Sequence, residues 1–487
     1  MARYHTLILG IRYRVVAKYT GYLLLSLGAM LLVPLAVSVA TGADERAFRF
    51  AGAMAALFAL GLPSLRLSAP REIGANEAMV VLALLFIGAS AIVAWPLAGD
   101  GLSWEDALFE SVSAVTTTGL TTLVDLDTRH PAFLFARAWL QWYWGLVIVV
   151  LAVALILQPG PVAKRLVGTD TGPEDLIGST RTRAIRSFTV YAMLTVTGIC
   201  LLLLLGMSPF DALLYVLGAV STGGFAPYDR SLAAPSGWAA QAVVIALCLA
   251  AAVSFATYER ARLKGPRAIW GDTEVRTLIL AAAATTVLLA LTMAGSGLYD
   301  WRSVVMNAPL VAVSAQSTAG FTTLSLAGID QGSKLVLILS MFIGGDAGST
   351  AGGIKIVRLL VLLRLLQLVF LRARLPGHAV VAVSVGGRPL SHEQIQIGLG
   401  IVFLHAATIV AIWSLFLLNG HAPLDALCDV VSAVSTTGLS VGITAPQLET
   451  PLKMALCAGM LLGRLEIVAI LLLLFPSTWI GRKAETR

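Results

Sequence analysis

The chain alternates long apolar stretches with short polar breaks, and apolar stretches of two lengths recur. The long ones begin near Gly21, Phe50, Glu77, Trp139, Ala184, Trp238, Val275, Lys334, Gln394 and Leu452. Each is long enough to cross a hydrocarbon core of about 30 Å, so ten transmembrane helices are predicted. The short ones supply only about 12 helical residues, roughly 18 Å at 1.5 Å per residue, and fall short of a crossing. They are read as re-entrant half-helices. Each opens at an acid or amide followed by Ala, namely Asp106, Asp211, Asn307 and Asp425, and each runs into a small polar cluster.

The clusters are Thr116-Thr117-Thr118-Gly119, Ser221-Thr222-Gly223-Gly224, Ser317-Thr318-Ala319-Gly320 and Ser435-Thr436-Thr437-Gly438, all at the same distance from their Asp or Asn. An Asp or Asn suits the N-cap of a half-helix. The C-terminal end then aims its partial negative charge inward. Beyond it the backbone leaves helical geometry, which Gly permits. Such backbone survives at membrane depth only when packed in protein or lining a wet cavity. Carbonyls turned to a common axis would replace the water of a monovalent cation. Gly, Ser and Thr also mediate close helix packing, and a single cluster would be read that way. Four in register predict one pore-lining ring. One in-register Gly per strand, in place of a longer signature, predicts fewer ion sites than in tetrameric potassium channels, and weaker selectivity.

The predicted fold is an all-α polytopic membrane protein with four pseudo-fourfold repeats around a central ion pore. Residues 1–72 hold two leading helices. Residues 73–165, 166–268, 269–375 and 376–487 hold the repeats, each a span, a half-helix, a cluster and a second span.

Composition sets the solvent: 57% hydrophobic and 13% charged residues, with a mean hydropathy of +0.85, describe a chain that lives in lipid. Lys and Arg gather at alternate span ends: Arg12, Arg14 and Lys18; Arg66 and Arg71; Lys164, Arg165, Arg181, Arg183 and Arg186; Arg260, Arg262, Lys264 and Arg267; Arg372 and Arg374; Arg482, Lys483 and Arg487. The positive-inside rule makes these ends cytoplasmic. The alternation closes when each half-helix returns to its own side, which puts both termini inside and the clusters toward the outside. These loops account for much of the net charge of +7, so no nucleic-acid partner is expected. The basic first 20 residues lack a small-residue cleavage site, and the first span is expected to stay as an anchor. No polar stretch is long enough for a soluble domain, so nucleotide sensing is expected on another chain. Cys200, Cys248, Cys428 and Cys457 lie in apolar helices without metal or redox spacing and are read as packing residues, with no disulfide.

With its four clusters and two leading helices, the chain resembles the Trk/Ktr/HKT superfamily of cation transporters in its bacterial TrkH branch, over nearly its whole length. The resemblance implies potassium uptake across the inner membrane, with Gly119, Gly224, Gly320 and Gly438 as the filter glycines. An intact set of four glycines points to potassium within that family. K⁺ is then the transported ion, with Thr117, Thr118, Thr222, Gly223, Thr318, Ala319, Thr436 and Thr437 as its ligands and no organic cofactor on the chain. The resemblance also implies a homodimer in membrane lipid and a cytosolic nucleotide-binding ring of the TrkA type docking on the basic inner loops. The alternative is a proton- or sodium-coupled potassium symporter. Such carriers usually carry inverted repeats with broken helices in matching halves, whereas the four units here run in parallel register.

A second feature lies at Gly344-Gly345-Asp346-Ala347-Gly348-Ser349-Thr350-Ala351-Gly352-Gly353-Ile354-Lys355. Five glycines there must interrupt a long helix. The break is the best candidate for a mobile gate, against a static kink, and the resemblance places it beneath the filter. The gate residues are Gly344, Gly345, Asp346, Gly348, Ser349, Thr350, Gly352, Gly353, Lys355 and Arg464. Lys355 also reads as a marker of the cytoplasmic boundary. Arg464 and Glu466 interrupt the last span, where ionisable groups are costly enough to signal function. Two residues apart on a helix they face opposite sides, which excludes a mutual salt bridge. The resemblance makes Arg464 an electrostatic barrier in the pore and turns Glu466 to a neighbouring helix; the alternative is that both tie helices together.

Glu110 and Asp429 stand nine residues before Gly119 and Gly438 and are read as supports of the half-helices rather than ion ligands. Ser349 would need a general base to act as a nucleophile. Among the histidines only His405 lies within a span, so no enzyme is predicted.

Overall fold

The computed structural model describes residues 10–68, 73–99, 101–156, 176–233, 237–374, 384–386 and 388–479. Seven described helices are long and apolar enough to cross a membrane: Tyr13–Ala40, Asp44–Arg66, Ala75–Leu97, one within Pro131–Ile156, Thr182–Leu204, Thr273–Gly295 and His392–Leu418. The protein is an all-α, multi-pass membrane protein. Among the described residues the only strands are Ser384–Val385 and Arg388–Pro389, a two-residue antiparallel ladder with Ser384 opposite Pro389. The basic residues Arg71, Lys164, Arg165, Arg482, Lys483 and Arg487 lie outside the described residues, as does the side chain of Arg181.

Three of the ten predicted crossings are not single helices. Trp238–Ala251 and Phe255–Lys264 meet at 87°, and Thr450–Arg464 and Val468–Leu474 meet at 108°. Gln331–Ile343 is separated from Ile356–Arg372 by the Gly-rich segment. Neither of the first two breaks contains Gly or Pro; the apolar pattern runs straight across the first, and only Arg464 and Glu466 mark the second. At the first, the freed groups are taken up by the Gly-rich segment: Asp346 N–H donates to the Ala252 carbonyl at 3.0 Å, and Phe255 N–H donates to the Gly348 carbonyl at 3.2 Å. At the second, Glu466 and Ile467 turn through φ of 52° and 63°. Arg464 and Glu466 therefore stand at a chain reversal and not on one helix, which corrects the opposite-face expectation. Glu466 reaches Arg358 on Ile356–Arg372 at 2.7 Å.

The half-helices are Trp104–Val115, Pro209–Val220, Trp301–Gln316 and Pro423–Val434. Asp106, Asp211, Asn307 and Asp425 are not their N-caps. The caps lie earlier, at Ser103, Ser208, Asp300 and Ala422. Ser103 Oγ accepts from Asp106 N–H at 3.1 Å and donates to the Asp106 carboxylate at 2.7 Å. Ser208 and Asp211 repeat this at 3.1 and 2.8 Å. Ser bonds the backbone two or three residues on, which leaves the Asp inside the first turn, where its charge suits the helix dipole.

Each half-helix packs between the span before it and the span after it, and the second span also packs on the next half-helix. Pro131–Ile156 touches Pro209–Val220, Trp238–Ala251 touches Trp301–Gln316, Gln331–Ile343 touches Pro423–Val434, and Thr450–Arg464 returns to Trp104–Val115. The series closes on itself. Lipid gives no hydrophobic drive between helices, so such contacts depend on small residues and close backbone approach. A Cβ on Gly463 would lie 1.7 Å from the Val434 carbonyl oxygen, which presses the last inner helix against the end of the fourth half-helix. The two leading helices pack on each other and on Ala75–Leu97, outside this ring.

Candidate functional site

All four half-helices end alike. Thr117, Thr222, Thr318 and Thr436 adopt φ of 51°, 49°, 52° and 48°. In the first, Thr117 N–H donates to the Ala114 carbonyl and Thr118 N–H to the Ser113 carbonyl, at 3.1 and 2.9 Å, and the other three repeat the pair. This is a Schellman end with Thr where Gly is usual. A left-handed non-Gly residue costs about 1–2 kcal/mol, and here it recurs four times.

The glycines that follow form a ring. A Cβ on Gly119 would lie 2.0 Å from the Gly223 carbonyl oxygen, on Gly224 2.1 Å from that of Ala319, on Gly320 2.2 Å from that of Thr437, and on Gly438 2.3 Å from that of Thr118. Each glycine thus meets the carbonyl before the next glycine in chain order, and the fourth meets the first. No side chain fits between the strands. The four helix C-termini converge on this ring and lend it partial negative charge.

In three of the four clusters the first residue's hydroxyl is spent on the helix end. Thr116, Ser221 and Ser317 return their hydroxyls to the carbonyls of Val112, Leu217 and Val313 at 2.7, 2.8 and 2.7 Å, and Ser435 Oγ lies 3.4 Å from His405 Nε2. Among the described residues, the carbonyls of Thr117, Thr118, Thr222, Thr318, Ala319, Thr436 and Thr437 accept no hydrogen bond. Buried carbonyls without a donor are uncommon, and seven gathered at one ring can serve a cation. Gly223, the eighth predicted ligand, accepts from Gln141 Nε2 at 2.6 Å.

Directly against this ring lies the segment from Gly344 to Lys355. Its ends are tied together, Ile354 N–H to the Phe342 carbonyl at 3.0 Å and Ile356 N–H to the Gly345 carbonyl at 3.0 Å. Gly344, Gly348 and Gly353 take φ of 72°, 79° and 72°. Gly352 N–H donates to Thr318 Oγ1 at 2.6 Å and Gly353 N–H to the Ser435 carbonyl at 3.1 Å. Thr350 Oγ1 donates to the Ala251 carbonyl at 3.0 Å. Arg464 donates to the Thr350 carbonyl at 2.9 Å and lies 3.4 Å from Thr436 Oγ1. The Lys355 ammonium donates to the Ala351 carbonyl within the segment. Asp346 is fully buried, and its Oδ2 accepts from Ser254 N–H at 3.5 Å. Ser349 Oγ donates to the Asp346 carbonyl at 2.7 Å, an arrangement that offers no general base.

Glu110 and Asp429 support the strands from behind. Glu110 accepts from Thr121 and from Arg137 at 2.7 Å, with both charges buried. Asp429 accepts from Ser440 Oγ at 2.7 Å, Val441 N–H at 2.8 Å and Thr444 N–H at 2.8 Å. Thr121 and Ser440 each stand two residues past their glycine, so both acids bind the exit strand to its half-helix.

Sequence reasoning missed several partners. Lys453 pairs with Asp106 at 2.7 Å, and Lys334 pairs with Asp425 at 2.7 Å. Each joins one inner helix to the next half-helix. Lys334 and Lys453 follow Gly320 and Gly438 at nearly equal spacing, a signal available in the sequence. Arg137, Gln141 and Gln316 carried no such signal. Gln316 Nε2 holds the Gly344 carbonyl at 2.7 Å.

A family model described as a cation transport protein, TrkH, matches residues 45–480. The Trk system potassium uptake protein TrkH of Vibrio parahaemolyticus is 32% identical over 422 residues, covering 82% of this chain and 85% of that protein. An uncharacterised cation transporter of Methanocaldococcus jannaschii is 29% identical over 458 residues, 93% of each chain. The crystal structure of the potassium transporter TrkH from Vibrio parahaemolyticus superposes with a TM-score of 0.85 at 27% identity, covering 96% of this chain and 100% of that one.

Proposed function

From the membership of this chain in the TrkH family of cation transport proteins, we propose that it takes up potassium across a bacterial inner membrane, with both termini cytoplasmic. The protein is a membrane transporter and not an enzyme. The observation that carries the reading is the closed ring in which each of four glycines meets the carbonyl of the next strand. K⁺ sheds its water there onto the carbonyls of Thr117, Thr118, Thr222, Thr318, Ala319, Thr436 and Thr437, with Gly223 a partly engaged eighth. Potassium is the cargo named for the curated Trk relatives.

The segment from Gly344 to Gly353, with Lys355 and Arg464, is the gate in this reading. Its contacts with Thr318, Ser435 and Thr436 support this reading. A guanidinium there also repels an approaching cation. The repeats at 73–165, 166–268, 269–375 and 376–487 each supply one strand. The functional unit is a homodimer, and a TrkA-type nucleotide-binding ring docks on the inner face, where Arg262, Lys264 and Arg267 are exposed.

Cation flux into proteoliposomes holding the purified protein tests this. The expected result is K⁺ flux faster than Na⁺ flux and independent of a proton gradient. Equal flux of the two ions would remove the filter assignment, and a strict need for the proton gradient would make the protein a coupled carrier.

A further inference from the structure

Gly223-Gly224 is the one Gly-Gly pair among the four clusters. Glycine has the widest backbone freedom of any residue, so this strand is intrinsically the loosest of the ring. It is also the strand held by a side-chain amide. Gln141, fully buried on Pro131–Ile156, donates from Nε2 to the Gly223 carbonyl at 2.6 Å and accepts at Oε1 from Phe225 N–H at 3.1 Å. The two bonds straddle Gly224. A Cβ on Gly223 would lie 2.5 Å from the Gln141 amide. One turn earlier, the Arg137 guanidinium lies 3.9 Å from the centre of the Phe225 ring and is itself fixed by Glu110. Residues four apart share a helix face, so Arg137 and Gln141 hold residues 223–225 together from outside the ring. Among the described residues, the carbonyls of Thr118, Ala319 and Thr437, which stand at the same position in the other strands, have no such partner.

We propose that Gln141 is a positioning residue of the filter, which locks the Gly223-Gly224 peptide and takes up one lone pair of the Gly223 carbonyl. The layer formed by Thr118, Gly223, Ala319 and Thr437 is then a three-plus-one cation site rather than a fourfold one. A side-chain amide paired in both directions acts as a neighbouring strand would, and it replaces the rigidity that the second glycine removes. This inference rests on the cation-pore reading above.

The test is the K⁺ over Na⁺ flux ratio of reconstituted Gln141→Leu, read beside folded yield and melting temperature. The ratio should fall severalfold, because the Gly223-Gly224 strand loses the two hydrogen bonds that position it, with folded yield retained. Gly223→Ala should lower it similarly, and combining it with Gln141→Ala should lower it no further, because both act on one contact. Gly320→Ala, in a strand that Gln141 does not touch, separates the two readings. A changed ratio there with none in Gln141→Leu overturns the role of Gln141 alone, and no change in either overturns the filter itself. Should Gln141→Leu fail to fold, Gln141→Glu keeps the length and the acceptor toward Phe225 while losing the donor. Absence of folded protein in both would make Gln141 a structural residue and overturn the proposal.

Discussion

Arg464 donates to the Thr350 carbonyl at 2.9 Å, and its other terminal nitrogen lies 3.4 Å from Thr436 Oγ1. One guanidinium thereby fastens the Gly-rich segment to the strand that follows the fourth half-helix. It occupies the last residue of Thr450–Arg464, where the chain turns through 108°. Any movement of the segment away from the ring must break this contact.

Replacing Arg464 by Met should raise basal K⁺ flux. A hydrogen bond from a charged donor contributes about 1.5–3 kcal/mol, so the arrangement with the segment against the ring should lose a factor of ten or more in population. Proteoliposome flux without any cytosolic partner measures this, and an unchanged basal rate would separate Arg464 from gating.

Gly352→Ala tests the same closure from the segment's side. The new Cβ would stand 2.0 Å from the Ser435 carbonyl oxygen and 2.3 Å from Thr436 Oγ1, which forces the segment off the ring. Basal flux should rise, as it should on deleting Gly345 to Gly352. Flux lost from well-folded protein would instead make the segment a support of the filter.

Gly119→Ser should reduce the preference for K⁺ over Na⁺. The residue sits at φ 88° and its Cβ would press on the Gly223 carbonyl, so a ligand layer must distort. Paired Rb⁺ and Na⁺ uptake measures the ratio, and an unaltered preference would take Gly119 out of the filter.

Glu110→Gln should act on stability. It strands Arg137, which is 1% exposed, and breaking a buried pair from one side costs about 3–5 kcal/mol. Melting in detergent should fall by several degrees, and the flux ratio of the surviving folded protein should change only in step with that loss, as Arg137 loosens from Phe225. A changed ratio at unchanged melting would make Glu110 an ion ligand.

The length of each apolar run, the repetition of the four clusters and the Gly-rich interruption were all legible in the sequence. These signals are local: a run either reaches about 30 Å or does not, and a helix with five glycines in ten residues breaks wherever it is placed. The support role of Glu110 and Asp429 was legible too, because a buried acid must find donors. The caps at Ser103 and Ser208 were present as Ser three residues before Asp, a spacing that the repeat at Asp106 and Asp211 masked.

Only the tertiary structure decided the rest. The break after Ala251 has no breaker residue of its own, and it exists because Asp346, Gly348 and Thr350, nearly a hundred residues later, satisfy its backbone groups. The turn at Glu466 is held by Arg358. Closure of the ring, the pairing of Lys453 with Asp106, and the grip of Gln141 on Gly223 likewise join residues far apart in the chain. Periodicity and motif spacing report what a residue's near neighbours require. Which distant group completes a hydrogen bond is set by how the helices pack, and that information exists only once they have packed.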